Sequence, residues 1–268
     1  MTDLTAYFTR IGYEGPCEPT LATLQALQAL HPASIPFENI DVMLDRGIDL
    51  APDAVDAKLI RGGRGGYCFE QNSLLKRVLA AIGFQVEGLI ARSRWGRSPD
   101  DIQPRTHMVL RVWIDDEAWL VDVGFGGCTL SRPLRFADEG PQSTAFDTFR
   151  LTAFGPEIRL EAQIRDGWVA VYDILPLPQL DADYVAANWF TSTHPDTHFR
   201  HTLMAARTLA GVRYNLQQNR LTIRRPGAAS ERRHLSVDEM GTVLADQFGL
   251  AVEENWRSLF ERAVAAAP

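Results

Sequence analysis

The chain has 268 residues, 46% of them hydrophobic and 23% charged, which is enough for a full core in one large domain or in two to three smaller lobes. A formal net charge of −7 and a pI near 5.4 argue against broad binding to nucleic acid or anionic membranes. Three scattered cysteines without a C-x-x-C pair, no apolar run of membrane-spanning length and no signal-peptide pattern at the start lead to the expectation of a reduced, cytoplasmic protein.

Taken in order, the first third reads as helical. Leu4, Tyr7, Phe8 and Ile11 share one helical face, with Thr2 or Asp3 as cap and Gly12 as stop. A second helix is expected from Thr20 to His31 with Leu21, Leu24, Leu27 and Leu30 inward. Pro36 then holds Ile35 out of the helical region, so Ile35-Pro36-Phe37-Glu38-Asn39 should be extended. A third helix is expected around Asp53 to Arg61.

Next comes Arg64-Gly65-Gly66-Tyr67-Cys68-Phe69-Glu70-Gln71-Asn72. Two glycines allow a close backbone approach, and a helical pattern begins directly after the cysteine: Leu75, Val78, Leu79 and Ile82, closed by Gly83. Cys68 therefore falls at a helix N-terminus, where unpaired N–H groups and the helix dipole favour the thiolate. That suits a nucleophile for acyl transfer; a buried, inert thiol is the competing reading.

From Phe84 the period changes to two. Phe84, Val86, Gly88 and Ile90 alternate, as do Met108, Leu110, Val112 and Ile114. Further strands are expected at Trp119–Val123, Phe149–Ala153, Ile158–Ile164 and Trp168–Tyr172, close enough in sequence for a small antiparallel barrel or sandwich. The last third mixes both periods. A helix around Asp183–Trp189 precedes a hairpin near Val212–Leu216 and Leu221–Ile223. Ser236-Val237-Asp238-Glu239 then opens a helix that Gly249 ends, and a last helix carries Trp256, Leu259, Phe260 and Val264. The arginines at 224–225 and 232–233 bracket what reads as a solvated loop.

A nucleophilic cysteine needs a base, and the base an orienting group. His107 opens one strand, and Asp122 interrupts the apolar run of the next, where an unpaired carboxylate is costly. If Asp115-Asp116 is a two-residue turn, Ile114 faces Glu117 and Asp122 faces Val109. His107 then becomes a diagonal neighbour of Asp122 on the same face, roughly 7–8 Å away between backbones. A three-residue turn would put the two on opposite faces. Neither glycine-rich stretch is a nucleotide loop. Gly124-Phe125-Gly126-Gly127-Cys128-Thr129 has Thr129 at the last glycine position of G-x-G-x-x-G, and Gly62-Gly63-Arg64-Gly65-Gly66 lacks the Gly-Lys-Ser/Thr of a P-loop. Arg92, Arg94, Arg97 and Arg105 form a basic cluster that reads as a solvated strand and loop, with a phosphorylated acyl carrier as the competing partner. On these residues alone, a cysteine acyltransferase, a cysteine hydrolase or amide former, and a non-enzymatic binder all remain open. A metal held by Cys68, His107 and Asp122 lacks supporting ligand spacing.

Four blocks together resemble the arylamine N-acetyltransferases: Ile35-Pro36-Phe37-Glu38-Asn39, the Arg64–Asn72 block, His107-Met108-Val109-Leu110 and Asp122-Val123-Gly124-Phe125-Gly126. The order and spacing fit from about residue 4 to Asn188-Trp189-Phe190-Thr191-Ser192-Thr193; the remainder matches only in character. The resemblance implies an α+β chain with a cysteine-protease-like (transglutaminase-like) core. It would comprise an N-terminal helical bundle over 1–83, an antiparallel β-barrel over 84–180 and a C-terminal α/β lid over 181–268. It implies a ping-pong reaction with acetyl-CoA as co-substrate, an arylamine, hydrazine or N-hydroxyarylamine as acceptor, and no metal. By position, Cys68 would be nucleophile, His107 base and Asp122 orienter. Gly126 and Gly127 would lie along the CoA arm, Phe37 and Phe125 near the acceptor, and Glu38 and Arg64 would pair internally. The expected state is a monomer or homodimer.

Overall fold

A computed structural model describes residues 2–98 and 100–266. Asp3 caps helix α1 (Leu4–Ile11) by accepting the Ala6 N–H at 3.0 Å, and Gly12 ends it at φ +68°. Helix α2 (Leu21–Ser34) starts at Thr20 and runs three residues past the expected end at His31. Pro32 lies in its last turn, and Ile35 leaves the helix in extended conformation, as a residue before proline must. A two-residue strand, β1 (Phe37–Glu38), and a short helix, α3 (Ile40–Met43), follow. The single helix expected near 53–61 is instead α4 (Pro52–Val55) continued by a π-helical turn, Asp56–Arg61. The widened turn seats Lys58 between Asp41 and Glu70, each 2.7 Å away. Helix α5 (Cys68–Ile82) begins on the cysteine and ends at Gly83, φ +107°. Its predicted stripe of Leu75, Val78, Leu79 and Ile82 is buried.

The middle of the chain forms one antiparallel sheet of eight strands: β2 (Gln85–Ser93), β3 (His107–Ile114), β4 (Glu117–Val121), β5 (Leu134–Arg135), β6 (Gln142–Ser143), β7 (Thr148–Phe154), β8 (Glu157–Ile164) and β9 (Gly167–Leu175). Their order is β5-β4-β3-β2-β9-β8-β7-β6. The two edges nearly close into a barrel because the Gln142 carboxamide accepts the Arg135 N–H at 2.8 Å and donates to the Arg135 carbonyl at 2.9 Å. The β3–β4 connection is the two-residue turn, with Asp115 and Asp116 both left-handed (φ 49° and 63°) as that hairpin type requires. The register pairs Ile114 with Glu117 and Leu110 with Val121. Alternation along β3 then sends Val109 into the barrel with Leu89, Leu120 and Leu160, and Met108, Leu110 and Val112 outward against α5.

After helix α6 (Asp181–Thr193) comes a second sheet of β10 (Met204–Leu209), β11 (Val212–Gln217), β12 (Arg220–Arg224) and β13 (Glu231–His234). Strand β1 adds to its edge, in the order β1-β10-β11-β12-β13. Two of these strands correct the sequence reading. Met204-Ala205-Ala206-Arg207-Thr208-Leu209 has little apolar alternation and is held by pairing on both sides. The arginine-rich loop is the tip of a hairpin whose second arm, Glu231-Arg232-Arg233-His234, is wholly exposed and so carries no apolar signal. Helices α7 (Val237–Asp246) and α8 (Arg257–Ala265) cover the other face of this sheet, burying Leu216, Leu221, Met240, Leu244, Trp256 and Leu259. Among the described residues no helix is long and apolar enough to cross a membrane.

One buried polar contact ties the first helices to the site. His31, fully buried in α2, accepts the Tyr7 hydroxyl at Nδ1 (2.8 Å) and meets Gln71 Oε1 at Nε2 (2.6 Å). Both ring nitrogens are thus used by the neutral form, and burial lowers the pKa from 6.5 to about 4. The folded ring refuses a proton that the unfolded ring accepts, so unfolding takes up a proton between those values. Stability should therefore fall by about 3 kcal/mol as pH drops from 6.5 to 4. In denaturant titrations a His31→Gln variant should show a flatter slope over that window; an identical slope would assign the acid sensitivity to other groups.

Candidate active site

Two backbone segments lie side by side to present Cys68. The Glu38 N–H donates to the Gly66 carbonyl at 3.0 Å, and the Gly66 N–H donates to the Pro36 carbonyl at 3.3 Å. Glycine is required here: a methyl group at Gly65 would lie 2.0 Å from the Pro36 oxygen, and one at Gly66 2.6 Å from the Glu70 carboxylate. Gln71, fully buried, donates to the carbonyls of Pro36 (2.8 Å) and Gly66 (3.1 Å), locking both segments to α5. Glu70 accepts the Tyr67 N–H at 3.0 Å. Cys68 is 3% exposed, with its sulfur 3.6 Å from the Thr106 carbonyl oxygen, one residue before His107.

His107 and Asp122 meet as the hairpin count requires. Nε2 of His107 lies 2.7 Å from Asp122 Oδ2, in a region where the aspartate is fully buried. Strand β4 ends at Val121, so Asp122 sits just beyond the ladder and its other oxygen is free to accept the Gly124 N–H (2.8 Å) and Asn72 Nδ2 (3.0 Å). Burial opposes a charge on His107, but the Asp122 charge, its hydrogen bond and the contact with the Cys68 side chain outweigh it and raise the imidazole to about 10. With Nε2 committed to Asp122, Nδ1 is the ring nitrogen left for the sulfur. The His107 ring packs edge-on to Phe125 and tilted to Tyr172, with centroids 5.0 Å away in each case.

The loop after Asp122 closes over the cysteine. A methyl group at Gly124 would lie 2.7 Å from Cys68 Cα and 2.8 Å from Asn72 Nδ2, so only glycine permits this approach. Gly126 (φ +78°) lies against the Phe37 ring and Gly127 against Asn215. Cys68, His107 and Asp122 are therefore together, Phe125 stands beside the histidine, and Gly126 lies against Phe37. The basic cluster is spent within the chain: Arg105 pairs with Glu157 (2.7 Å), Arg97 with Asp101 (2.8 Å), Arg94 with Asp173 (3.7 Å), and Arg92 donates to the Gln103 carbonyl. Burial and the charge of Asp147 raise the buried Cys128 thiol to about 12, so it offers no competing nucleophile. Among the described residues no group of three His, Cys, Asp or Glu side chains is placed to hold a metal.

The sequence reading passed over several residues that shape the site. Asn72 joins α5 to Asp122, to the Met108 carbonyl (2.8 Å) and to the Val123 N–H (3.2 Å). Its signal was present: Gln71 and Asn72 fall on the same inward helical stripe as Cys68 and Leu75, and a polar residue there needs a partner. Phe199 packs on Tyr67 and Phe37 at 5.8 and 6.2 Å. Arg213, fully buried, donates to the carbonyls of Gly127 (3.3 Å) and Thr129 (2.7 Å) and pairs with Asp147 (2.8 Å).

Comparison with known proteins gives the lineage. An N-acetyltransferase family model matches residues 20–257. The arylamine N-acetyltransferase of Mycolicibacterium smegmatis is 41% identical over 252 residues, covering 92% of each chain. The chain belongs to the arylamine N-acetyltransferase family. The Salmonella typhimurium member, named arylamine N-acetyltransferase / N-hydroxyarylamine O-acetyltransferase, is 38% identical over 98% of this chain and 94% of its own. The structure of the Mycobacterium marinum arylamine N-acetyltransferase in complex with CoA superposes with a TM-score of 0.93 at 38% identity, covering 99% of this chain and all of that one. The family relationship thus extends through the C-terminal sheet and helices, where motif matching alone had run out.

Proposed function

We propose that this arylamine N-acetyltransferase moves an acetyl group from acetyl-CoA to the nitrogen of arylamines and hydrazines, and to the oxygen of N-hydroxyarylamines, through an acetyl-Cys68 intermediate. One observation carries the assignment of roles: the buried His107–Asp122 pair, 2.7 Å across, beside a cysteine at the first position of a helix. His107, protonated through neutral pH, holds the proton given up by Cys68. The sulfur attacks the thioester carbon, the carbon–sulfur bond to CoA breaks, and the CoA thiolate leaves with the proton from His107. Thioester exchange of this kind is nearly balanced in energy, since one thiolate replaces another. The Cys68 N–H, among the first-turn donors of α5 with no partner inside the helix, is placed to receive the developing oxyanion.

In the second half the amine nitrogen attacks the acetyl-cysteine carbonyl. An arylamine is a weak base, so His107, whose proton left with CoA, accepts the amine's proton and keeps it as the Cys68 sulfur departs as thiolate. Phe125 and Phe37 supply apolar faces suited to an aromatic acceptor and keep water from the thioester. Gly126 and Gly127 give the donor's arm a wall free of side chains.

Support for this reading comes from family membership at 41% identity together with the geometry. It is tested by intact mass after incubation with acetyl-CoA alone. The wild-type chain should gain one acetyl group, lose it on adding an aromatic amine, and form the amide in equal amount; Cys68→Ala should gain none. Equal acetylation of both proteins, or none of the wild type, would overturn the assignment.

A further inference from the structure

The face of the C-terminal sheet that looks toward the glycine loop contains one polar side chain whose bonding is incomplete. Directly opposed residues place Phe37 beside Ala206 and Ala206 beside Asn215, so the three form a row across β1, β10 and β11. Opposed residues in a ladder point to the same side of the sheet. With strands about 4.8 Å apart, Asn215 stands roughly 10 Å from Phe37. The loop follows this row. A methyl group at Gly126 would lie 3.3 Å from the Phe37 ring, and one at Gly127 3.5 Å from Asn215 Oδ1. Arg213, two residues earlier on the same side of β11, grips the Gly127 and Thr129 carbonyls and fixes the loop against the row.

The Asn215 backbone is engaged in the ladders with β10 and β12. Its half-buried side chain is not engaged: Oδ1 is buried without a hydrogen-bond partner, and its amide nitrogen has none among the described residues. A buried polar atom without a protein partner is uncommon in a native fold and is open to a bond from a ligand that reaches it. A carboxamide both donates and accepts, which matches a secondary amide, with one N–H and one C=O. The arm of an acyl-CoA carries such amides between its sulfur and its diphosphate.

We propose that Asn215 is a donor-binding residue, whose carboxamide hydrogen-bonds a secondary amide in the arm of acetyl-CoA as that arm runs along Gly126 and Gly127. This rests on the acetyl-CoA reading above and adds a specificity to it: Asn215 distinguishes donors that carry an amide arm from those that do not. Phe37 contacts the acyl end of the row, Asn215 reads the arm, and Arg213 keeps the loop between them in register.

The test compares donors on one protein. Wild type and Asn215→Ala are acetylated on Cys68 by acetyl-CoA, by S-acetylpantetheine and by 4-nitrophenyl acetate, which has no amide, each followed by intact mass below saturation. For both thioesters the rate relative to 4-nitrophenyl acetate should fall roughly three- to tenfold in the variant, as expected for one neutral hydrogen bond. A ratio unchanged by the substitution would overturn the inference. So would a variant slowed equally with all three donors, because that reports a displaced loop rather than a lost contact. Wild type acetylated by 4-nitrophenyl acetate but not by acetyl-CoA would instead remove the donor assignment itself.

Discussion

Replacing Asp122 by asparagine should slow acetylation of Cys68 by about 10³–10⁴-fold, the scale seen when the orienting carboxylate of a catalytic triad is neutralised without loss of shape. The reason lies in the bonds around that side chain. One oxygen takes Asn72 Nδ2 and the Gly124 N–H, which an asparagine oxygen still satisfies; the other takes His107 Nε2 at 2.7 Å. An amide nitrogen at that position presents hydrogen where an acceptor is needed, so it drives His107 to the wrong tautomer. It also removes the charge that raises His107 to about 10, and burial then favours the neutral ring. NMR titration of His107 should show its pKa falling in the variant, together with the rate. The sign of the linkage follows. The wild-type His107–Asp122 pair stabilises the fold fully below about pH 6.5, the unfolded value, and that stabilisation is lost as pH rises through about 10. A variant that acetylates within tenfold of wild type would reduce Asp122 to a structural role.

The largest loss of stability should come from Arg64→Met, at about 3–5 kcal/mol, or a fall in melting temperature of roughly 10 °C. Arg64 is 7% exposed. Its guanidinium spans Glu38 (2.7 Å), Asp41 (3.3 Å) and Glu253 (3.0 Å) and lies over the Trp256 ring at 4.6 Å. Removing it leaves Glu38, 1% exposed, without its ion-pair partner. Arg64→Lys should recover only part of the loss, since an ammonium cannot make the forked contact to one carboxylate while reaching two others. Thermal unfolding monitored by circular dichroism reads this directly. A change below 1 kcal/mol would mean that the Lys58 bridge between Asp41 and Glu70 compensates for the missing cation.

Much of this site was legible in the sequence because it rests on local periodicity. The start of α5 on Cys68 follows from two glycines and an i, i+3, i+4 stripe. The meeting of His107 and Asp122 follows from a two-residue turn and a period of two. What was not legible depends on partners distant in sequence. Nothing near Arg213 announces that it will hold Gly127 and Thr129. Strand β10 becomes a strand because β1 and β11 flank it, and β13, exposed along its length, because β12 offers it a backbone edge. His31 looked like one histidine among six until Tyr7 and Gln71 were seen on its two nitrogens. The same helical stripe that located Cys68 placed Gln71 and Asn72 inward, so their burial, though not their partners, was available from the pattern.

The pairing of β1 with β10, together with the reach of Arg64 to Glu253 and Trp256, bears on how the molecule is made. Residues 37–72 are translated well before the strand that orders Phe37, the arginine that fixes Gly127 and the two residues, Glu253 and Trp256, that cover Arg64. Contacts of such long sequence separation form late in folding. A nascent chain can therefore complete the helix bearing its cysteine well before the segments around it exist, and the nucleophile gains its full surroundings only once residues 204–256 have followed.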